Sequence, residues 1–186
     1  MSIRTALTAK LGLEYPIVSA PMGGVAGGSL AAAVSNAGAL GLVGGAYGEP
    51  DAQGALMGTR FYAATEALGH GNAKERIAAA RGRDTQRTRV FDIVRRHAWP
   101  QPYTGRAIRN RFMEWWVGRE DDLGETLDEE THRFRAAVTA GDLETAMVWA
   151  GEGVDLIFDV VLAGELVRRI GAESEACLRH ASDLLQ

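Results

Sequence analysis

The sequence contains a single cysteine, Cys177, among 186 residues, which excludes an internal disulfide framework and a cysteine-ligated metal centre. It also lacks any run near the ~18 apolar residues that a membrane-spanning helix requires. No block of like charge breaks the chain, and the net charge of −4 argues against nucleic acid or an anionic membrane as a partner. These absences, with 46% hydrophobic and 24% charged residues, predict a soluble cytoplasmic globular protein.

The first third of the chain follows a strand–helix–strand pattern. Residues 17–20 form a short apolar run bounded by prolines, which is typical of a buried parallel strand. Ser29 is positioned to cap a helix that Gly38 would end. Residues 39–45 then predict a second buried strand, and residues 54–59 a third. The pattern therefore predicts an α/β protein with about three parallel strands.

The rest of the chain is predicted to be mainly helical. Asn72 with Glu75 predicts the capped start of a helix that Gly82 would end. Polar–apolar alternation over residues 85–94 predicts an exposed or edge strand. Capping residues and helical spacing predict further helices at about 106–117, 127–140, 143–150 and 162–185.

Two glycine-containing turns are the candidate binding features. A strand that ends in Gly58-Thr59 just before a helix offers N–H groups, a hydroxyl and a helix dipole to a phosphate. Gly-Thr is common, so by itself this turn is more often only structural. The glycines within residues 23–28 do not match a dinucleotide-binding fingerprint, because Val25 stands in place of its second glycine. Both a turn whose backbone lies against a flat ring system and a purely structural turn stay open.

Several collinear segments resemble the nitronate monooxygenase (2-nitropropane dioxygenase-like) family. In the first half of the chain they are residues 11–18 (LGLEYPIV), 20–25 (APMGGV), 30–38 (LAAAVSNAG) and 54–61 (GALMGTRF). In the second half they include residues 88–91 (TRVF), 103–107 (YTGRA) and 149–152 (WAGE). The resemblance covers nearly the whole chain and identifies a family, but it does not identify a substrate.

The resemblance implies an FMN-dependent barrel of the TIM type. It places Ala20, Pro21, Met22 and Gly23 against the flavin ring, and Met57, Gly58, Thr59 and Arg60 at the phosphate. Members of the family oxidise alkyl nitronates with molecular oxygen, and related flavoenzymes reduce enoyl thioesters or quinones. The implied partners are therefore FMN, a small nitronate-like substrate and O2, and no metal is expected.

The chain departs from the family pattern at its centre. The segment after the second strand joins the approach to the last strand near residues 49–51. The family's Gly-Gly-His segment, which carries its catalytic histidine, is absent, so the catalytic residues are unknown. His70 follows the Gly-Thr turn and does not take that role. Because a typical eight-stranded barrel has about 250 residues, we expect an incomplete FMN-binding TIM-type barrel with exposed strand edges and apolar faces, and impaired turnover.

The expected organisation has a truncated barrel remnant at 1–83, a mainly helical appended domain at 84–150, and a C-terminal segment at 151–186 whose helix packs back on the remnant. Two other functions stay open. One is a non-catalytic remnant or interaction protein of the same family, and the other is an enoyl thioester reductase-like flavoenzyme. Exposed sheet edges also make self-association an open expectation.

The remaining distinctive side chains have ordinary structural interpretations. Cys177 is expected to be a small packing residue in a helix, and the acidic run 120–122 to lie in a solvated loop. Surface positions are expected for the other histidines, His97, His132 and His180. Packing between the C-terminal helices, rather than a ligand-stacking platform, is predicted for Trp99, Trp115, Trp116 and Trp149.

Overall fold

The computed structural model describes residues 3–20, 22, 25–42, 55–100 and 102–183. The chain divides into two compact units. The first unit comprises Met1–Gly69 and Val160–Gln186, and the second comprises His70–Asp159. The divisions therefore fall at 69/70 and 159/160 rather than at the expected 83/84 and 150/151. The assignment of these parts to a barrel remnant and an appended domain stays a prediction.

In the first unit, the described residues form short strands that alternate with helices. In the second unit, the described residues are mostly helical. The strands are β1 (Ile17–Ser19), β2 (Ala55–Met57), β3 (Thr85–Thr88) and β4 (Gly105–Ile108). The helices are α1 (Ala6–Leu11), α2 (Gly28–Asn36), α3 (Thr59–Tyr62), α4 (Gly71–Ala79), α5 (Val90–Val94), α6 (Arg111–Trp116), α7 (Glu120–Glu125), α8 (Leu127–Ala140) and α9 (Ala163–Asp183).

The sheet of the first unit is parallel, and β1 lies at its centre. β1 pairs with β2 in the register Ile17↔Ala55 to Ser19↔Met57. On its other side Val18 forms a parallel bridge with Leu40, which belongs to the predicted second strand. The α/β class is confirmed. Of the predicted strand at 39–45, only Leu40 is paired, and residues 43–45 lie outside the described part.

Helix α2 covers one side of the first unit and packs against α9. Leu30 and Val34 of α2 are fully buried, as is Val167 of α9. The close approach is possible because small residues meet, with the Ala37 Cβ only 3.6 Å from an ideal Cβ on Gly164. The predicted Ser29 cap is wrong. The N-cap is Gly27, two residues earlier, and it makes no side-chain hydrogen bond.

The sheet of the first unit leaves apolar surface uncovered. Val18 and Leu56 are register partners on one face. Leu56 is 65% exposed, and Val18 is half-buried. An apolar strand side chain is therefore exposed at Leu56, and the shortening of the barrel itself stays a prediction.

The second unit is organised around Phe91. Its ring lies 6.0 Å from the ring of Phe112, 6.2 Å from that of Phe134 and 5.9 Å, edge to face, from that of Trp149. Phe91 is fully buried. Aromatic pairs at these separations are stabilising beyond the area they bury. Four elements, α5, α6, α8 and the segment that holds Trp149, therefore converge on one side chain.

The predicted edge strand at 85–94 is only half correct. β3 ends at Thr88, and helix α5 follows at Val90. The Thr88 Oγ1 accepts a hydrogen bond from the Val90 N–H at 3.0 Å, which supports the change from strand to helix. The predicted helix at 106–117 likewise splits into β4 and α6, because Asn110 Oδ1 accepts from the Met113 N–H at 2.9 Å and starts the helix there.

Three other local predictions are corrected. No helix forms over residues 143–150, because the Leu143 and Ala146 carbonyls accept from Asn110 Nδ2, each at 2.9 Å. Helix α8 is confirmed, but the predicted Thr126 side-chain cap is wrong, since the Thr126 side chain accepts no capping hydrogen bond. Helix α4 is capped by His70 rather than by Asn72, because His70 Nδ1 accepts from the Asn72 N–H at 3.3 Å.

The predictions for the tryptophans, for the acidic run 120–122 and for Cys177 are only partly correct. Trp116 is buried and Trp149 packs on Phe91, as predicted. Trp115 and Trp99 are 63% and 40% exposed, so their predicted core positions are wrong. Cys177 is exposed on α9 rather than packed. The acidic run 120–122 forms the first turn of α7 instead of a loop, where the carboxylates face the positive end of the helix dipole.

Neither a membrane-spanning helix nor a metal-binding cluster is found in the described part of the chain. Among its helices, none combines the length and the apolar character needed to cross a membrane. Within the same residues, no group of three or more His, Cys, Asp or Glu side chains is placed to hold a metal ion.

Replacing Phe91 by alanine should destabilise the second unit strongly. The change removes a fully buried ring and its three aromatic contacts, so we expect the free energy of unfolding to fall by about 3–5 kcal/mol. Urea denaturation followed by tryptophan fluorescence measures the loss. Val138→Ala, on the exposed side of α8 and 45% exposed, is the matched control and should change stability by about 0.5 kcal/mol or less. Equal losses in the two variants would contradict this description of the core.

The buried carboxyl of Asp92 should make stability depend on pH. Burial raises the pKa of Asp92, although Arg95, the Gly105 N–H, His97 and Arg89 act in the opposite direction. The native state then holds this proton more tightly than the unfolded state. This contribution to stability is complete below the unfolded carboxyl pKa of about 3.9 and is lost as the pH rises to the native pKa.

Asp92→Asn removes that titration while it keeps the shape of the side chain. Relative to wild type, the variant should gain stability as the pH is raised from about 4 towards neutrality. Urea denaturation at successive pH values measures the difference. The exposed Asp121→Asn serves as control, and its difference from wild type should not grow in the same way. A pH-independent difference for Asp92→Asn would refute the assignment.

Candidate functional site

The candidate site lies where β1 and β2 end. Because the two strands are parallel, their carboxyl ends lie at the same edge of the sheet. The Ala20 N–H donates to the Met57 carbonyl oxygen at 3.2 Å, so the pairing continues one residue beyond β1. We call this the carboxyl edge, made of Ala20, Met22 and residues 57–60. In open and closed parallel sheets, ligands bind at this end of the strands.

The chain folds back directly after β1. The Met22 N–H donates to the Ala20 carbonyl at 2.9 Å, and the Met22 carbonyl accepts from Val25 and Ala26 at 3.1 and 2.8 Å. Val25 and Ala26 are buried, so the turn is anchored by the core on its far side. Of the predicted ring-contacting residues, Ala20 and Met22 are therefore placed, whereas Pro21 and Gly23 lie outside the described residues.

The turn after β2 meets the turn after β1. An ideal Cβ on Gly58 would lie 3.8 Å from both the Ala20 Cβ and the Met22 Sδ. These distances are ordinary van der Waals contact, so the absence of a side chain at Gly58 leaves the space of about one methyl group between the turns. Two groups of residues that are far apart in the sequence are thus brought together at one edge.

Thr59 and Arg60 begin the short helix α3. The Gly58 carbonyl accepts from the Tyr62 N–H at 3.0 Å, and Gly58 is the N-cap. N–H groups in the first turn of a helix have no acceptor within the helix, and they carry the positive end of its dipole. Arg60 is 8% exposed, which places a cationic residue within the protein at this turn.

Tyr62 closes the inner side of α3. It is 7% exposed, and burial raises the pKa of its hydroxyl. The phenol therefore stays protonated at neutral pH. The Tyr62 ring packs against the backbone of Gly69, so closely that an ideal Cβ on Gly69 would lie 2.3 Å from Cε2. The residues near Gly69 are therefore in contact with α3.

The polar contacts of Ser19 were not foreseen from the sequence. Ser19 Oγ accepts a hydrogen bond from the Leu42 N–H at 3.0 Å, next to the carboxyl edge. The available signal was one hydroxyl inside an otherwise apolar strand. Such a hydroxyl is costly to bury without a partner, and so predicts that one exists.

The histidines lie outside the segments that form the carboxyl edge. His70 belongs to the second unit, where it caps α4. His97 and His132 are exposed in the same unit, and His180 is exposed on α9, so the predicted surface positions of these three are confirmed. Residues 1–69 contain no histidine at all.

Comparison with known sequences supports the resemblance. The nitronate monooxygenase family model matches residues 4–52. A nitronate monooxygenase from Neurospora crassa is 30% identical over 165 residues, covering 87% of this chain and 39% of that protein. The nitronate monooxygenase npaC from Metarhizium robertsii is 32% identical over 167 residues, covering 88% of this chain and 42% of that protein.

Comparison with solved structures supports the fold. FabK from Thermotoga maritima has a TM-score of 0.72 at 18% identity, with 97% of this chain and 100% of that chain covered. At this identity the likeness shows the fold alone. A nitroalkane oxidase from Streptomyces ansochromogenes has a TM-score of 0.51 at 25% identity, with 91% of this chain and 43% of that chain covered.

The chain spans about two fifths of the length of the curated relatives it matches. The match nevertheless extends over nearly all of the residues present here. The family model covers the turn after β1, and the solved structures share the α/β arrangement. By these sequence relationships, the chain is similar to members of the nitronate monooxygenase family over nearly all of its length.

Proposed function

We propose that this chain binds FMN at the carboxyl edge and is an oxidoreductase of the nitronate monooxygenase type, acting on alkyl nitronates with O2. The observation that carries the proposal is the approach of Gly58 to Ala20 and Met22, at 3.8 Å from its ideal Cβ. A cofactor with a ring at one end and a phosphate at the other requires both turns at one place. The family relationship supplies the reaction class.

Each turn has a distinct proposed role. Small and apolar residues suit a flat ring system, so Ala20, Pro21, Met22 and Gly23 are assigned to the isoalloxazine. A phosphate is favoured by first-turn N–H groups, a hydroxyl and a cation, so Met57, Gly58, Thr59 and Arg60 are assigned to that end. When bound, FMN supplies the redox chemistry, and the protein contributes its binding and orientation.

The proton-transfer group of the reaction is left unassigned. The family's Gly-Gly-His segment has no counterpart in the sequence, and no histidine stands among residues 1–69. A positioned general base typically contributes about 10²–10⁴-fold to the rate. We therefore propose that turnover is slow in this chain even when the cofactor is bound.

The proposed partners are a small nitronate-like substrate and O2, in the cytoplasm, with neither nucleic acid nor membrane involved. Self-association is proposed through the uncovered sheet face, because Leu56 is 65% exposed and unpaired strand edges recruit other strands.

A second candidate function is a non-catalytic member of the same family. Two observations favour it, namely the exposed Leu56 and the absence of histidine from residues 1–69. A sheet that has lost its covering elements can retain a ligand turn without forming a closed, water-free active site. Cofactor binding and turnover must therefore be measured separately.

The purified protein, reconstituted with FMN and freed of excess cofactor, should retain about one flavin per chain, visible as yellow absorbance. Oxygen uptake with an alkyl nitronate should be detectable but slow, because the base is missing. Free FMN at the same concentration is the control. Flavin retention without oxygen uptake above that control would favour the non-catalytic candidate. Colourless protein that takes up no FMN would refute FMN binding at the carboxyl edge.

Replacing Thr59 by valine should weaken FMN binding. The change preserves the side-chain shape but removes the hydroxyl assigned to the phosphate, and a hydrogen bond to a charged group contributes about 1.5–3 kcal/mol. We expect the dissociation constant, measured by flavin fluorescence titration, to rise at least tenfold. Thr139→Val, on the exposed side of α8, should leave it unchanged. If both variants bind like wild type, Thr59 does not contact the phosphate.

A further inference from the structure

Ser19 is a polar residue in an unusual position. It is the last residue of β1, and it is 0% exposed. The residues on either side of it in the strand and turn, Val18 and Ala20, are apolar. Burying a hydroxyl in such surroundings is unfavourable unless it is hydrogen-bonded. The hydrogen-bond partner of Ser19 therefore indicates the role of its hydroxyl.

Ser19 and Ala20 hold the chain on both sides of β1. The Ser19 N–H donates to the Leu40 carbonyl at 2.9 Å, and Ser19 Oγ accepts from the Leu42 N–H at 3.0 Å. The next N–H along, that of Ala20, donates to Met57 at 3.2 Å. Main-chain pairing between β1 and residues 40–42 ends at Leu40. The Ser19 hydroxyl extends the hydrogen bonding by two residues, to Leu42.

The segment 40–42, which we call the edge segment, has little freedom on its other side. An ideal Cβ on Gly41 would lie 1.9 Å from the Ala31 carbonyl oxygen of α2, so only glycine permits this approach. The Gly41 N–H donates to Ser35 Oγ of the same helix at 3.1 Å. The edge segment is therefore held between β1 and α2, with one serine hydroxyl on each side.

We propose that Ser19 is a positioning residue that fixes the edge segment beside the carboxyl edge and so shapes the wall of the cofactor site. The inference rests on the proposed FMN site, and it deepens it by assigning a residue that does not touch the cofactor. Without the hydroxyl, the Leu42 N–H loses its acceptor. It then turns towards water, because an unsatisfied buried donor is unfavourable. The segment that borders Ala20 moves with it.

The experiment compares Ser19→Ala with Ser35→Ala. Both changes remove a serine hydroxyl that accepts from the edge segment, but Ser35 is exposed on α2 and its acceptor acts on the side away from β1. Ser19→Thr is the conservative variant that keeps the Oγ acceptor. Hydrogen exchange of the Leu42 amide, measured by NMR, reports the hold on the edge segment directly, whether or not flavin is bound. Flavin fluorescence titration reports the cofactor site.

The expected result is that Ser19→Ala speeds exchange at Leu42 at least tenfold and raises the FMN dissociation constant at least tenfold. Ser35→Ala should change neither by more than about threefold, a difference near 0.7 kcal/mol. Ser19→Thr should recover both values to within that range. Circular dichroism and the thermal midpoint identify any variant that fails to fold, in which case Ser19→Thr against Ser19→Cys, which has only a weak acceptor, makes the same comparison.

Two results would overturn the inference. One is unchanged Leu42 exchange in Ser19→Ala, and the other is faster exchange with unchanged FMN affinity. A wild-type protein that binds no FMN is a separate failure, that of the proposed function. It also removes the cofactor role of Ser19, and Leu42 exchange then decides only whether the hydroxyl holds the edge segment.

Discussion

The parallel pairing of β1 with β2 is the constraint on which the rest of the first unit depends. In the register Ser19↔Met57, both strands end at the same edge, and at Gly58 only the space of about one methyl group separates the two following turns. Antiparallel pairing would send one turn to the opposite end of the sheet. Since the strands are only three residues long, a few hydrogen bonds, including that of the Ala20 N–H, determine the geometry of the whole edge.

The same pairing explains the weakness of the arrangement. A central strand needs cover on both faces, and Ile17 and Ser19 of β1 are buried on one face. On the other face Leu56 is 65% exposed. A chain that spans about two fifths of its relatives' length places the turns after β1 and β2 at one edge, while the strand face at Leu56 stays open to water.

The second unit shows where local sequence patterns fail to predict the secondary structure. Residues 85–94 alternate like a strand, yet the Thr88 hydroxyl and the convergence of the aromatic rings on Phe91 convert the second half of that run into helix α5. A helix that buries Val90, Phe91 and Val94 forms a better core than a strand that would expose alternate residues. Long-range packing overruled the local alternation, and long-range hydrogen bonds did so after Asp142, where the Leu143 and Ala146 carbonyls accept from Asn110 Nδ2.

At the candidate site, the motif residues themselves could be named from the sequence, because short apolar runs before glycine-containing turns and the collinear family segments are local properties. The helical C-terminal end and the absence of a histidine from residues 1–69 could likewise be read from the sequence. Only the tertiary structure decided that Gly58 meets Ala20 and Met22, and that Ser19 holds Leu42. It also decided that Leu56 stays uncovered. Those facts depend on register and on which surfaces find a partner, and both are set by contacts between residues that lie far apart along the chain.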